Sequence, residues 1–231
     1  MTGKAFHTFT KGFNKPFDDI LTQTMNQTAQ YLCQNIQGCK LAYTQSDEIS
    51  LLLTDYEKIT TSAWFDNNIQ KMVSISASMT TMIFNKIFSE TVLKYENFID
   101  DEIDLYVSKF NTAMFDSRVF TLPKEEVCNY FIWRQQDATK NSIQMFGRSE
   151  FSHKELQNKN CNEIQDMLFV EKGLNWNNAP VYQKRGTCII KEKYVLKGGF
   201  ENQIITERPR WVIDLEIPIF TQNREYIESL L

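Results

Sequence analysis

The chain has 231 residues, a length that allows one large domain or one domain with a small appendage. Hydrophobic residues make up 42% of it, including 17 phenylalanines, which is enough for a sizeable core and argues against disorder. The formal net charge of −4 gives no overall basic field, so any nucleic-acid binding must depend on local patches. The longest uncharged stretch, residues 72–85, is shorter than the ~20 apolar residues of a membrane span, so no membrane partner is expected.

Five cysteines, an odd number, are spread along the chain without a Cys-x-x-Cys pair: Cys33, Cys39, Cys128, Cys161 and Cys188. This pattern is typical of reduced thiols, and it favours a cytoplasmic protein over a disulfide framework or a zinc site. No apolar segment follows the first residues, so no signal peptide is expected. The only histidines are His7 and His153, so a catalytic metal would need oxygen ligands.

The first part of the chain predicts two helices around a β-hairpin. Apolar residues at helical spacing, with two acidic residues in the first turn, predict a helix over about residues 16–35. Two apolar runs, residues 39–44 and 49–54, predict the hairpin, whose tip is Gln45-Ser46-Asp47-Glu48. A second long helix is predicted over about residues 66–89.

The rest of the chain predicts a strand, a third long helix and several short elements. The acidic segment 90–108, which contains Asp100-Asp101-Glu102, is expected to be a surface insertion. Residues 113–121 predict a strand, and residues 123–145 predict a helix that Pro123 opens. Further short helices are predicted at 154–156, 162–170 and 223–230, and strands near 187–191 and 211–217.

The predicted fold class is α+β with a ferredoxin-like sheet. The order of elements becomes βαββαβ if one more strand precedes Gly3, and that order gives a split βαβ sheet backed by two helices. Only two residues precede Gly3, so this first strand is predicted to be truncated. We expect one domain over residues 1–146 and a smaller mixed α/β region over residues 147–231.

The hairpin tip carries two adjacent carboxylates, Asp47 and Glu48. At the end of a ferredoxin-like sheet, such carboxylates can converge on two divalent cations that neutralise a triphosphate and activate an attacking oxygen. Mg²⁺ suits this role because it takes a few carboxylate oxygens and leaves the rest of its shell to phosphate and water. The alternative is an ordinary solvated hairpin turn.

The segment before the first long helix combines a glycine with nearby cations. Gly3 at a strand end lets backbone amides approach phosphate oxygens, and Lys4 or Lys15 could add positive charge. The alternative is a simple connecting loop, in which His7 is a packed residue.

Several segments, in a fixed order over most of the chain, carry a resemblance to one family. The first are Gly3-Lys4-Ala5-Phe6-His7-Thr8-Phe9, Lys15-Pro16-Phe17-Asp18 and Ala42-Tyr43-Thr44-Gln45-Ser46-Asp47-Glu48-Ile49-Ser50. The others are Phe115-Asp116-Ser117-Arg118-Val119, Tyr130-Phe131-Ile132-Trp133-Arg134-Gln135-Gln136-Asp137-Ala138, Gly173-Leu174-Asn175-Trp176-Asn177-Asn178 and Lys184-Arg185-Gly186. Together they resemble the tRNA-His guanylyltransferase family.

This resemblance implies a nucleotidyltransferase with a polymerase-like palm, which adds nucleotides to the 5′ end of tRNA in the 3′-to-5′ direction. The tRNA 5′-phosphate is activated by ATP or arrives as a triphosphate, and the 3′-hydroxyl of an incoming nucleotide, usually GTP, attacks it. Two Mg²⁺ ions are implied as cofactors. Because family members resemble one another in forming homotetramers, a homo-oligomer is also implied. The region after residue 146 is then expected to contribute to RNA binding and packing.

The resemblance also implies roles for individual residues. Asp47 would bind both metals, Glu48 would assist, and the backbone carbonyl of Gly3 would complete a metal shell. The residues implied to cradle the nucleotide or meet its phosphates are Gly3, Lys4, Ala5, Phe6, His7, Lys15, Ser46, Asp47 and Lys71.

A second group lies on the third long helix. Arg134, Asp137 and Asn141 are spaced i, i+3 and i+7 and therefore share one face. Spacing alone is also consistent with an exposed helix face that carries one weak ion pair. The resemblance implies instead that these three residues contact the activating nucleotide or the RNA 5′ end. Lys184 and Arg185 are predicted to form a local basic patch for RNA, or else to be solvated surface residues.

Two positions depart from the family's pattern. The family has an Asp immediately before the glycine, and this chain has Thr2. A truncated sequence is the simpler explanation because Lys15, Asp47 and Glu48 are kept. The alternative is a catalytically impaired RNA- or nucleotide-binding homologue that lacks the first metal-binding Asp.

Eukaryotic members have His-Ile-Asn-Asn where this chain has Thr139-Lys140-Asn141-Ser142. The chain is therefore closer to the bacterial and archaeal relatives, which resemble 5′-end repair enzymes. A third possibility, a palm-fold nucleotide cyclase, shares the carboxylate hairpin, but the segment from Trp133-Arg134 to Asp137 argues against it.

Overall fold

The computed structural model describes residues 1–98, 102–196 and 206–231. Its strands are β1 (Thr2–Gly3), β2 (Cys39–Gln45), β3 (Glu48–Leu53), β4 (Phe115–Asp116), β5 (Thr187–Leu196) and β6 (Thr206–Asp214). Its helices are α1 (Phe6–Phe9), α2 (Asp19–Asn35), α3 (Ile69–Lys94), α4 (Glu102–Val107), α5 (Lys124–Glu150), α6 (His153–Leu156), α7 (Cys161–Lys172), α8 (Val181–Arg185) and α9 (Glu225–Glu228). Short 3₁₀ turns lie at Trp64–Asn67 and Trp176–Asn178.

The six strands form one antiparallel sheet in the order β4-β1-β3-β2-β5-β6. The first four follow the ferredoxin-like order, with β1 between β4 and β3. Thr2 lies opposite Glu48 on one side and Asp116 on the other. The predicted α+β class and ferredoxin-like arrangement are therefore confirmed, and the residues before α1 form the short first strand.

Strand β2 separates two hydrophobic cores because its side chains alternate between the faces of the sheet. Ala42 belongs to the core that α2 and α3 cover, where Ile20, Leu32 and Phe84 are buried. On the other face, the neighbours Leu41 and Tyr43 pack against buried residues of α5 and of the C-terminal segment: Val127, Phe131, Ala138, Ile217, Phe220 and Ile227. The sheet therefore lies between two layers of helices.

Local signals account for the long helices. The carboxylate of Asp18 accepts a hydrogen bond from the backbone N–H of Leu21 and caps α2. Asn68 caps α3 in the same way through the N–H of Lys71. Because Asp18 is the cap, α2 begins at Asp19, after the predicted start at residue 16.

Several predicted elements have different bounds. The predicted strand over residues 113–121 is reduced to β4, because β1 offers only two residues to pair with it. Helix α5 continues to Glu150, beyond the predicted end at residue 145, and β5 and β6 form a longer ribbon than predicted. Helices α1 and α8 were not predicted.

The expectation that residues 90–108 form a surface insertion is wrong for the part that the structure describes. Helix α3 continues to Lys94, and α4 places Tyr106 in the core with only 2% of its surface exposed. Asp100 and Asp101 lie outside the described residues.

All five cysteines are free, as predicted. No helix within the described ranges combines the length and the apolar character that crossing a membrane requires.

Candidate functional site

The tip of the β2–β3 hairpin lies beside the end of β1. Ser46 adopts a left-handed conformation with φ of 49°, and Asp47 follows it in the turn. The backbone N–H of Gly3 donates to the carbonyl oxygen of Asp47 over 3.1 Å. The predicted proximity of Asp47 to Gly3 is therefore present in the structure.

The carboxylate of Asp47 is held in a partly desolvated position. Burial raises its pKa above the usual range, although hydrogen bonds from its own backbone and from the Ser46 hydroxyl oppose the shift. The Ser46 hydroxyl lies 3.2 Å from the carboxylate oxygen. The negative charge of Asp47 is thus incompletely compensated, as expected of a carboxylate that binds a cation.

A cavity of about 320 Å³ lies next to the hairpin tip. Its walls are α1, the loop after α1, the first half of α2, the tip itself, and residues from α5 and the end of α8. Apolar side chains line much of it, among them Phe13, Leu21 and Met145, and polar groups such as Asn14 and Asn26 are placed between them. A concave site of this composition can hold a small organic ligand.

The cavity contains about half of the residues predicted to contact a nucleotide. The members that line it are Phe6, His7, Lys15, Ser46 and Asp47. Lys4 and Ala5 are exposed neighbours of the cavity in the turn between β1 and α1.

Gly3 lies next to the cavity, and packing explains why this position is a glycine. A Cβ atom at position 3 would lie 2.1 Å from Cδ2 of Phe6, so a larger residue would collide with the Phe6 ring. That ring is buried against Phe9, Phe84 and Phe115. The glycine therefore lets an aromatic core close directly behind the strand end.

Lys71 is not brought to the cavity within this chain. It lies in the first turn of α3, with its ammonium group 6.0 Å from the ring of Phe65. The part of α3 that packs on Phe6 is around Phe84, 13 residues further on, a distance of roughly 20 Å along a helix. Its predicted contact with phosphate has no support in the geometry of one chain.

Glu48 points to the opposite face of the sheet from the cavity. Its carboxylate accepts a hydrogen bond from the guanidinium of Arg134 over 2.5 Å. Arg134 also donates to Asp137 over 3.0 Å, and the side-chain amide of Asn141 donates to the same carboxylate oxygen over 3.3 Å. The predicted cluster on α5 is thus a connected network, and Glu48 belongs to it.

Arg134 is the centre of this network and is not an exposed surface residue. Its side chain is 11% exposed, and its guanidinium lies 4.5 Å from the ring of Trp133. Two carboxylates face one guanidinium, so the cluster carries a net negative charge.

The network and the cavity meet at the hairpin tip. A small second cavity of about 20 Å³ is lined by Gln45 and Ser46 on one side and by Asn141 and Met145 on the other. A ligand at the tip can therefore contact both groups of residues.

Of the predicted basic patch, Lys184 is held by a backbone carbonyl, whereas the half-buried Arg185 has no hydrogen-bond partner for its side-chain Nε atom within the described residues. The ammonium group of Lys184 donates to the carbonyl oxygen of Asn177 over 2.6 Å, and desolvation lowers the pKa of Lys184. The carbonyl oxygen of Arg185 accepts a hydrogen bond from the Tyr43 hydroxyl over 2.6 Å. These contacts fix α8 against the sheet at the rim of the cavity.

Sequence reasoning missed the polar residues of α2 and α4 that shape the cavity. Thr22 and Asn26 line it, one helical turn apart, but the many other polar residues of α2 gave the sequence no reason to single out these two. Tyr106 donates a hydrogen bond to the cavity residue Asp18 over 2.6 Å. No sequence pattern links those two residues, because they are 88 positions apart.

Within the described parts of the chain, no three His, Cys, Asp or Glu side chains converge closely enough to hold a metal ion. A metal at the tip would therefore depend on Asp47, backbone oxygen and the oxygens of a bound ligand. A ferredoxin-like sheet with a partly buried carboxylate and a ligand-sized cavity at one hairpin tip defines a palm-type fold.

Comparison with known proteins assigns this fold to one family. The sequence model described as "Thg1: tRNAHis guanylyltransferase" matches residues 1–123. A bacterial tRNA(His) guanylyltransferase-like protein in complex with ATP is 48% identical, with a TM-score of 0.84 over 99% of this chain and 86% of that one. A GTP complex of such a bacterial protein is 45% identical, with a TM-score of 0.76 over the same shares of the two chains.

A protein of Acanthamoeba polyphaga mimivirus is 29% identical over 100% of this chain and 79% of its own length. The chain belongs to the tRNA(His) guanylyltransferase family, as its sequence motifs predicted.

Proposed function

We propose that the chain is a Mg²⁺-dependent nucleotidyltransferase that adds nucleotides, GTP among them, to the 5′ end of tRNA in the 3′-to-5′ direction. The observation that carries this proposal is the cavity of about 320 Å³ beside the partly buried Asp47. Family membership and the similarity to structures with ATP and GTP support the choice of ligand. The biological role that follows is maturation or repair of the tRNA 5′ end.

The cavity would hold the nucleoside part of the incoming nucleotide. Its apolar walls, which include Phe13 and Met145, suit the faces of a base, and its polar groups suit the edges of a base and the ribose hydroxyls. Lys15 and His7 line the same cavity and are exposed, so they can contact phosphate oxygens at its mouth.

The residues at the tip fit a Mg²⁺ ion that is shared with the substrate. Mg²⁺ usually takes one or two protein carboxylates and keeps its other positions for phosphate and water, which matches a single partly buried carboxylate next to the Gly3 backbone. When bound, such ions neutralise the triphosphate and activate the attacking hydroxyl. Glu48 is hydrogen-bonded to Arg134, so we assign it to orienting that guanidinium.

The network of Arg134, Asp137 and Asn141 would receive the activating nucleotide or the RNA 5′ end. It adjoins the hairpin tip through the small second cavity. Arg134 can supply a planar pair of donors to a phosphate once a ligand competes with its carboxylate partners. The compartment we propose is the cytoplasm, in line with five free thiols, and the assembly is a homo-oligomer.

A second candidate function is nucleotide and RNA binding without catalysis. It is favoured by Thr2, which lies in β1 between Glu48 and Asp116 and provides a hydroxyl where the family's pattern has a carboxylate. A two-metal site that lacks one carboxylate would balance its cations poorly.

The proposal is tested by incubating a tRNA that lacks its first nucleotide with Mg²⁺, ATP and labelled GTP. We expect an RNA lengthened at its 5′ end, and we expect Asp47→Asn to lower the rate by at least ~100-fold, since metal-linked charge stabilisation is worth several kcal/mol. Asp55→Asn is the matched control because it removes an exposed carboxylate just beyond the other end of β3, and it should keep full activity.

The possible results separate the two candidates. If Asp47→Asn were as active as the unchanged chain, the metal assignment would be wrong. If the unchanged chain bound GTP and tRNA but formed no product, while Thr2→Asp formed product, the non-catalytic candidate would be correct.

A further inference from the structure

One wall of the cavity is a short loop whose two ends are tied to a single carboxylate. Residues 14–18 all line the cavity, and they include Lys15. Asp18, which is 5% exposed, accepts a hydrogen bond from the backbone N–H of Asn14 over 3.2 Å and from that of Leu21 over 2.8 Å. The orientation of this carboxylate therefore sets the position of the loop relative to α2.

The same carboxylate is held from outside the loop by Tyr106. The Tyr106 hydroxyl donates to Asp18 over 2.6 Å, and the side-chain amide of Asn14 lies 3.5 Å from that hydroxyl. The Tyr106 ring is buried and stacks on Phe13 with 4.6 Å between ring centroids. Burial and the bond to Asp18 raise the pKa of Tyr106, so its hydroxyl remains a donor.

We propose that Tyr106 is a positioning residue of the nucleotide cavity, which fixes Asp18 and thereby the wall formed by residues 14–18. This inference rests on the proposed function, because it assumes that the cavity binds a nucleotide. A carboxylate free to turn into the cavity would repel the triphosphate, and a loose wall would let Lys15 leave its place beside the phosphates. The Tyr106 hydroxyl holds the Asp18 carboxylate and the wall that carries Lys15 in the arrangement that binds the ligand.

The test removes only the hydroxyl. Tyr106→Phe keeps the ring and its stacking on Phe13, and it leaves Asp18 with two backbone donors, so the chain should still fold. We expect the dissociation constant and the KM for GTP, measured with Mg²⁺, to rise about 5-fold to 10-fold, as befits a lost hydrogen bond to a charged group. The kcat at saturating GTP should stay within about 2-fold, since the reacting atoms are untouched.

Tyr95→Phe is the matched control. The Tyr95 ring packs on Phe98, which also touches Tyr106, but Tyr95 does not line the cavity. This variant should bind GTP as the unchanged chain does.

Two results would overturn the inference. The first is that Tyr106→Phe leaves the KM and the dissociation constant for GTP unchanged. The second is that Tyr106→Phe and Tyr95→Phe lose the same share of kcat and that this loss follows a loss of thermal stability. Amide hydrogen exchange of Asn14 and Leu21 provides a measurement without nucleotide. If Tyr106→Phe did not speed that exchange, the Tyr106 hydroxyl would not hold Asp18 and the loop in place. This result would overturn the inference whether or not the chain has transferase activity.

Discussion

The partly buried carboxylate of Asp47 shows at the scale of one residue how desolvation of a charged group opposes the stability of the fold. Desolvation raises its pKa in the folded chain above the value in the unfolded chain. The folded state therefore binds this proton more tightly than the unfolded state does. The contribution of Asp47 to stability is then most favourable below the unfolded pKa, and it is lost as the pH rises through the folded pKa.

This pH dependence of the Asp47 contribution to stability leads to a prediction for Asp47→Asn, which removes the charge and keeps the shape of the side chain. At about pH 8 the variant should melt at a higher temperature than the unchanged chain, and the difference should shrink as the pH falls towards about 4, the usual pKa of an Asp side chain. Thermal unfolding without Mg²⁺, measured across this range, checks the expectation. Asp55→Asn should show no comparable trend, and a gain for Asp47→Asn that is equal at both pH values would contradict the argument.

Single residues differ in how far the sequence reveals their part in the site. Asp47 could be singled out because a carboxylate at a hairpin tip is a local pattern, although only the family resemblance implied a metal-binding role for it. Gly3 was also singled out, and the structure shows a packing reason for a glycine there, the close approach of the Phe6 ring, which the sequence did not indicate. Tyr106 was missed because its partner, Asp18, is brought to it only by the complete fold.

At the scale of elements, the β2–β3 hairpin is the connection between the two halves of the site. Asp47 at its tip lines the cavity, and Glu48, the next residue, reaches Arg134 on the far side of the sheet. The change from the turn at Asp47 to the start of β3 at Glu48 separates the two side chains. The ion pair of Glu48 with Arg134 therefore joins the hairpin to α5.

This ion pair should contribute measurably to stability. Arg134→Met should lower the free energy of unfolding by about 2 kcal/mol, less than the loss of a fully buried partner, because the Glu48 side chain is 33% exposed and can still reach water. Combined with Glu48→Gln, the loss should be smaller than the sum of the two single losses by about 1 kcal/mol. Urea unfolding of the two single variants and the double variant measures this coupling.

The exposed ion pair of Arg224 with Glu228 is the control for that cycle. Its side chains are 41% and 43% exposed, so the same pair of substitutions there should couple by only about 0.3–0.5 kcal/mol. Equal coupling at the two sites would mean that burial of Arg134 adds nothing to the pair.

The elements that could be predicted are those long enough to show a period. Helix α2, the β2–β3 hairpin and α5 each repeat apolar residues over several turns or alternations, and their type and place were correct. Helices α1 and α8 have four and five residues, too few for a pattern. The length of β4 depends on its partner β1, which no property of residues 113–121 can indicate.

On the scale of the whole molecule, the region after residue 146 completes the core under the first part of the chain. Strand β5 pairs with β2 and extends the sheet, and Ile217, Phe220 and Ile227 pack against the face that carries Leu41 and Tyr43. The side chain of Gln135 fastens this segment to α5. Its amide nitrogen donates to the carbonyl oxygen of Pro218 over 2.9 Å, and its amide oxygen accepts from the N–H of Phe220 over 2.8 Å.

The chain should therefore unfold as one cooperative unit, and a fragment of residues 1–146 should not fold by itself. Uncovering Leu41 and Tyr43 and losing three buried apolar side chains, at about 1.5–3 kcal/mol each, removes an amount comparable to the whole stability of a typical domain. In the full chain, Phe220→Ala should cost about 3–5 kcal/mol because Phe220 is fully buried. The same substitution at Phe169, which is 62% exposed, should change stability by no more than about 0.5 kcal/mol. Circular dichroism during urea unfolding tests all three, and a cooperative transition in the fragment at the urea concentration that unfolds the full chain would mean that the first part has a sufficient core of its own.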